Sequence, residues 1–226
     1  MERLFRDRHD AGQQLAQRLK AYAACPEAIV LALPRGGVPV GYEVARSLGA
    51  PLEAFVVRKL GMPGREELAM GALAAGGVRV LNPNVVWALG PRAQRALERV
   101  TAKETQELKR REERYRGQRP FPKLEGRTVI LVDDGLATGA SMRAAAQAVR
   151  PQAPKELVVA VPVAAEATCR ALRNQVDELI CAFRPPDFAA VGQFYRDFSQ
   201  TSDEEVCELL ARASSAASAH GGPHER

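Results

Sequence analysis

Asp133 and Asp134 close a run of apolar residues, Val129-Ile130-Leu131-Val132, and open a turn of small ones, Gly135-Leu136-Ala137-Thr138-Gly139-Ala140-Ser141. The apolar run predicts a strand buried on both faces of a parallel sheet. Ligands of open α/β sheets bind beyond the C-terminal ends of such strands, where the two carboxylates stand. Small residues in the turn keep side chains away, so backbone N–H groups can surround an anion. The helix that follows adds the partial positive charge of its N-terminus, and Thr138 and Ser141 add hydroxyl donors. A phosphate suits the turn, and the acids need something polyhydroxylated or cationic beside it. A ribose 5-phosphate with Mg²⁺ meets both demands.

Other phosphate chemistries fail on the same residues. A P-loop requires Gly-Lys-Ser/Thr after its glycines, and a dinucleotide fingerprint requires Gly-x-Gly-x-x-Gly after its strand; neither follows Val132. A phosphoaspartate receiver would need a basic partner and further acids in a different strand order. Histidine chemistry is equally remote, because His9, His220 and His224 all lie near the termini. Cys25, Cys169, Cys181 and Cys207 form no Cys-x-x-Cys pair, so buried free thiols are expected rather than a zinc site.

The elements that must hold these residues read as alternating strands and helices. Residues 11–22 carry Leu15, Leu19 and Tyr22 at helical spacing. The apolar run 28–33 ends at Pro34-Arg35-Gly36-Gly37, a helical segment reaches Leu48, and a second apolar run, 52–57, ends at Arg58-Lys59. Strand, turn, helix, strand indicates a βαβ unit. Glycine and proline interrupt residues 60–90, which predicts a small hairpin around Gly76-Gly77 in a mobile stretch. Residues 91–117 read as a long, charged, solvated helix that begins at Pro91. Strands at 128–132, 157–161 and 178–181 alternate with helices at 140–149 and 164–175. An aromatic-bearing loop, 184–201, leads into a helix at 202–213, capped by Ser202 with an acidic first turn. The small, polar tail 214–226 is expected to be disordered.

Size and composition agree with one α/β domain with additions. The chain has 226 residues, 46% of them hydrophobic and only 5% aromatic, so Ala, Val and Leu must fill much of the core. No run of ~18 apolar residues appears, nor does the apolar stretch of a signal peptide, which predicts a cytoplasmic protein without a membrane partner. A net charge of +5 fits either an anionic small substrate or a nucleic-acid partner, the latter being the lesser reading.

The 129–141 segment resembles the signature of the type I phosphoribosyltransferases, above all the adenine enzymes, in which an apolar strand leads into Asp-Asp-x-Leu-Ala-Thr-Gly. Leu33-Pro34-Arg35-Gly36-Gly37 is similar to that family's pyrophosphate loop. Val57-Arg58-Lys59-Leu60-Gly61-Met62-Pro63-Gly64 is similar to the Arg-Lys segment that opens its flexible loop. The three segments come in the expected order, and the resemblance covers roughly residues 28–181. Residues 186–198, with Asp187, Phe188, Tyr195 and Phe198, resemble the C-terminal hood of hypoxanthine-guanine phosphoribosyltransferases. The departures are a missing lysine on the strand at 157–161 and the charged helix at 91–117, which the adenine enzymes lack.

The resemblance implies an open, mostly parallel sheet with helices on both faces, a small hood and an inserted long helix. It implies one domain over residues 1–213, with a core at about 28–182 and a hood built from 183–213 with the N-terminal helix. Asp133 and Asp134 would hold the ribose hydroxyls, directly or through Mg²⁺, and Gly135, Leu136, Ala137, Thr138, Gly139, Ala140 and Ser141 would clasp the 5′-phosphate. Arg35, Gly36 and Gly37 would bind pyrophosphate around a cis Pro34–Arg35 peptide. Arg58 and Lys59 would neutralise pyrophosphate as it leaves, residues 61–71 would close as a lid, and Phe188 would stack on a purine. The reaction implied is transfer of ribose 5-phosphate from 5-phosphoribosyl-1-pyrophosphate to a nitrogenous base by a homo-oligomeric enzyme. Two alternatives keep the same site: a regulator that senses phosphoribosyl pyrophosphate and binds nucleic acid, and a hydrolase of a phosphorylated sugar.

Overall fold

A computed structural model of the chain describes residues 4–62, 65–82 and 90–220. Its centre is a five-stranded parallel sheet. In chain order the strands are β1 (Ala28–Ala32), β2 (Leu52–Ala54), β6 (Thr128–Val132), β7 (Glu156–Val163) and β8 (Glu178–Phe183), and in space they run β2-β1-β6-β7-β8. Successive residues alternate between two buried faces. Val30, Ala32, Ile130, Val132, Val158 and Ala160 share one apolar cluster with α1 (Arg8–Arg18), α2 (Gly37–Leu48) and α6 (Asp203–His220). Ile29, Leu31, Val129, Leu131, Leu157 and Val159 face α4 (Ala140–Val149) and α5 (Glu166–Leu172). The inner strands β1, β6 and, beyond Glu156, β7 are buried on both faces, whereas the edge strands β2 and β8 carry Glu53 and Glu178 and are partly exposed.

Strand order reverses direction at β1. The chain leaves β1 toward β2, whereas β6 lies on its other side and leads away to β7 and β8. The crevice of an open α/β sheet opens between two such strands.

A second, three-stranded antiparallel sheet forms the hood: β3 (Val57–Met62), β4 (Arg65–Ala74) and β5 (Val78–Leu81). It revises two expectations. The apolar run 52–57 is divided between sheets, with Leu52–Ala54 paired to β1 and Val57 opening β3. The described part of the stretch expected to be mobile is largely paired strand up to Leu81, with residues 83–89 outside the described residues, and the hairpin at Gly76-Gly77 joins β4 to β5 with positive φ at both glycines (80° and 76°). A lid over 61–71 would therefore have to move as a hairpin rather than as a loop; residues 63 and 64 lie outside the described residues.

The long helix is present as α3 (Gly90–Arg116). It is not merely solvated, because Leu97, Leu108 and Tyr115 are buried and it packs on β3, β4 and α6. The segment 184–201 docks on the N-terminus, where Phe5 pairs with Tyr195. Its aromatics Phe194 and Tyr195 are core, and the hood expected from 183–213 is thus joined by a sheet drawn from 57–81. The last helix continues to His220, so residues 214–220 of the tail expected over 214–226 are helical, and residues 221–226 lie outside the described residues. Alanines at 213, 216, 217 and 219 favour that continuation. The cysteines are free, but only Cys169 is fully buried; Cys25, Cys181 and Cys207 are partly exposed.

Candidate active site

The two glycine-rich loops leave neighbouring strands at the same level. β1 and β6 pair in register from Ala28↔Thr128 to Ala32↔Val132, and the Leu33 N–H donates to the Val132 carbonyl at 2.9 Å. The loop 34–37 and the acidic pair therefore face each other across the point where strand order reverses. A Cβ added to Gly36 would lie 2.1 Å from Asp134 Oδ2, and one on Gly37 would lie 2.9 Å from the Val132 carbonyl oxygen. Only glycine permits this approach. The Pro34–Arg35 peptide is cis.

Asp133 and Asp134 are largely shielded from solvent. Burial, then the neighbouring Asp134 charge, pushes the Asp133 carboxyl well above its ordinary range; the Asp134 N–H, 2.9 Å from Asp133 Oδ1, opposes this. Burial also raises the Asp134 carboxyl, against the pull of Arg8. Arg8 Nε donates to Asp134 Oδ2 at 2.8 Å, with both side chains largely buried (12% and 16% exposed). Arg8 opens α1, whose first turn is capped by Asp7 accepting the Asp10 N–H at 2.8 Å. Its guanidinium also donates to the Ser199 carbonyl at 2.7 Å and lies 4.0 Å over the Phe198 ring. On the other side the Tyr195 hydroxyl donates to the Asp134 carbonyl at 2.6 Å. Arg8 is a neighbour of the acidic pair that no local sequence signal selects, whereas Tyr195 lies in the hood-like segment that the sequence marks, though its contact with Asp134 is not legible there.

The turn 135–141 is held by its carbonyls. The Leu136 carbonyl accepts the Ala165 N–H at 3.0 Å, the Thr168 hydroxyl donates to the Ala137 carbonyl, and Arg143 donates to the Thr138 carbonyl at 2.8 Å. Leu136 also donates its own N–H to Val163 at 2.9 Å and buries its side chain, so it anchors the turn and has no backbone donor to spare. Gly139 takes φ +68° immediately before α4, a conformation that favours glycine, and a Cβ there would lie 2.5 Å from Thr168 Cγ2. Ala137, Thr138 and Ser141 are exposed and Ala140 is half-buried, at the N-terminus of α4.

The two cations of β3 part company, as alternation along a strand requires. Arg58 turns to α3 and pairs with Glu104 at 2.6 Å. Lys59 lines a cavity of about 550 Å³ shared with Thr138, Ala140 and Arg143 beside the turn. Arg35 is partly exposed and approaches Asp203 at 3.9 Å. Phe188 lies 5.3 Å from Phe194, centroid to centroid, and lines an open, shallow depression on the surface with Asp187, Ala189 and Gln193. This segment meets the turn through Val191, 2.6 Å from where a Gly135 Cβ would stand.

Among the described residues no group of three or more His, Cys, Asp or Glu converges on a metal position, and no helix is long and apolar enough to cross a membrane.

Known proteins resemble this chain in sequence and fold. Residues 6–199 match the family model described as the phosphoribosyl transferase domain. A Mycobacterium tuberculosis protein provisionally named a phosphoribosyl transferase is 49% identical over 211 residues, which cover 93% of this chain and 47% of that protein. The chain thus spans about half the length of the curated relatives it matches. The crystal structure of TT1426 from Thermus thermophilus is 45% identical and superposes with a TM-score of 0.84 over 94% of this chain and 99% of that one. A hypothetical protein from Neisseria gonorrhoeae with bound ppGpp shares the fold at 12% identity, with a TM-score of 0.51 over 93% and 97% of the two chains.

Proposed function

Because the chain belongs to the phosphoribosyl transferase family, we propose that it transfers ribose 5-phosphate from 5-phosphoribosyl-1-pyrophosphate to a nitrogenous base and releases pyrophosphate. The observation that carries this reading is the contact of Gly36 with Asp134 across the strand-order reversal, which sets a pyrophosphate loop against a sugar-binding acidic pair. Asp133 and Asp134 accept hydrogen bonds from the ribose hydroxyls. The exposed edge of the turn at Ala137–Ser141 receives the 5′-phosphate, with Lys59 and Arg143 beside it. Arg35, Gly36 and Gly37 hold pyrophosphate. Breaking the C–O bond leaves an oxocarbenium-like sugar and a multiply charged leaving group. Fixed carboxylates at the first and cations at the second stabilise that separation.

The residues present fit a Mg²⁺ ion bound jointly with substrate. Mg²⁺ is usually held by one or two carboxylates together with substrate phosphates and water. Two adjacent carboxylates, with no third converging among the described residues, make up this donor set. Asp133 and Asp134 would hold the ion, and it would supply charge neutralisation at the leaving group. The open depression at Phe188 would take the acceptor, whose ring can lie against the Phe188 face; a purine is the proposed class.

Pyrophosphate release with a panel of bases, with and without Mg²⁺, tests the reading. Turnover that depends on a base supports it. Binding without turnover indicates a sensor, and turnover without a base indicates a hydrolase.

A further inference from the structure

We propose that the inserted helix α3 completes the pyrophosphate end of this site, with Arg114 joining Arg35 as a second cation for the leaving group. The inference rests on the phosphoribosyltransferase reading above and assigns a role to a helix that reading does not use.

Asp203, the first residue of α6, marks the place. Its carboxylate lies 3.9 Å from Arg35 Nη1 and 3.2 Å from Arg114 Nη1, and the Tyr115 hydroxyl donates to it. Two guanidinium groups and a phenol from two separate elements therefore converge on one oxyanion. A carboxylate oxygen and a phosphate oxygen make the same demand on such donors. Arg35 and Arg114 are each about one-third exposed, at 34% and 39%, so a ligand can reach them. Arg35 immediately precedes Gly36, which touches Asp134, so this cluster adjoins the sugar site.

The charges around the cluster are mixed. Arg114 also pairs with Glu204 at 2.5 Å, and Arg111, which adds its field at Asp203, is held by Glu107. The Tyr115 hydrogen bond and then the fields of Arg114, Arg35 and Arg111 keep the Asp203 carboxyl below its usual range. Asp203 is thus an internal counter-ion that separates two like charges until substrate binds. Pyrophosphate, with more charge than one carboxylate, displaces it. Of the two further cations that the sequence offers to the leaving group, Arg58 is committed to Glu104 and Lys59 lies beside the turn at Thr138 and Ala140.

The sign of the Asp203 effect separates displacement from simple bracing. Calorimetric titration of the full chain with inorganic pyrophosphate and Mg²⁺, and separately with 5-phosphoribosyl-1-pyrophosphate and Mg²⁺, provides the readout. Loss of one charge-assisted bond should make R114Q bind pyrophosphate about tenfold more weakly. D203N, which removes a competing negative charge, should bind several-fold more tightly. K103Q removes a cation from the exposed surface of α3 and should match wild type. Wild-type affinity in R114Q, or weaker binding in D203N, overturns the proposal. Should R114Q fail to fold, the direction of D203N still decides. If the wild type binds neither ligand, the reading of the whole site falls as well. If it binds 5-phosphoribosyl-1-pyrophosphate and R114Q binds it equally well, only the α3 subsite falls.

Discussion

Arg8 and Asp134, 126 positions apart in sequence, meet at 2.8 Å in a largely buried ion pair that fastens the first turn of α1 to the acidic end of β6. One of the two acids proposed for the sugar thus has its charge compensated from the N-terminus. Truncating one member of a buried pair strands the other charge.

R8Q should lose about 2 kcal/mol of unfolding free energy, the scale of a hydrogen bond to a charged group. Urea unfolding measures it. The double variant R8Q/D134N should recover part of the loss, and a cycle over the four proteins gives the coupling.

Asp133 should show the opposite balance, because its buried charge is costly before any ligand arrives. Its carboxyl, like that of Asp134, titrates above the ordinary value in the folded chain. An acid raised in this way binds its proton more tightly when folded, so stability falls as pH rises from the unfolded carboxylate pKa, ~4, through the folded value. D133N should therefore melt above wild type at pH 8, with the gap closing toward pH 4.5, while affinity for 5-phosphoribosyl-1-pyrophosphate falls about tenfold. Thermal melts across pH and calorimetry check the two halves.

The neighbours Arg58 and Lys59 should have separable phenotypes. R58Q removes the Glu104 pair and should cost about 1 kcal/mol of stability, since that contact is partly solvated. K59Q should leave stability nearly unchanged and raise KM for the phosphoribosyl donor. Equal effects of both substitutions on KM would show that Arg58 leaves Glu104 when substrate binds.

Gly36→Ala tests the contact at the strand-order reversal. Its Cβ cannot coexist with Asp134 Oδ2 at 2.1 Å, so either the loop or the acid must move. Donor binding should fall by more than tenfold, since a displaced sugar acid loses its hydrogen bonds. Gly49→Ala serves as the comparison: it has a positive φ of 65° but open space around the new methyl, and should affect stability alone.

The strand-turn-helix at 128–149 was legible because everything it needs is local: apolar residues for both sheet faces, acids at the strand end, small residues in the turn and a helix former after Gly139. Pro34-Arg35-Gly36-Gly37 was legible for the same reason. Arg8 was not, since one arginine in a charged N-terminal segment carries no local mark, and its partner comes from β6. Nor did Arg58-Lys59 reveal which cation faces the turn, because that depends on which neighbour, α3 or α4, covers each side of β3. The strand β4 was hidden by its composition: Arg65-Glu66-Glu67 and Gly71 break the alternation, and antiparallel neighbours on both sides supply the order instead.

The in-register pairing of β1 with β6 turns the sheet into a ruler. Neighbouring strands lie about 4.8 Å apart, and a slip of one residue would turn every side chain of a strand to the wrong face. With Ala32 fixed opposite Val132, the separation of the glycine loop from the acidic pair is a property of the sheet rather than of the loops. On the proposed reading, substitutions in either loop alter how tightly a sugar pyrophosphate is held, but not the span it must have. Residues 184–201, the segment proposed to take the acceptor, rest on the sheet through Phe194 and Tyr195 and take no part in its ladder, so they can vary without disturbing that spacing.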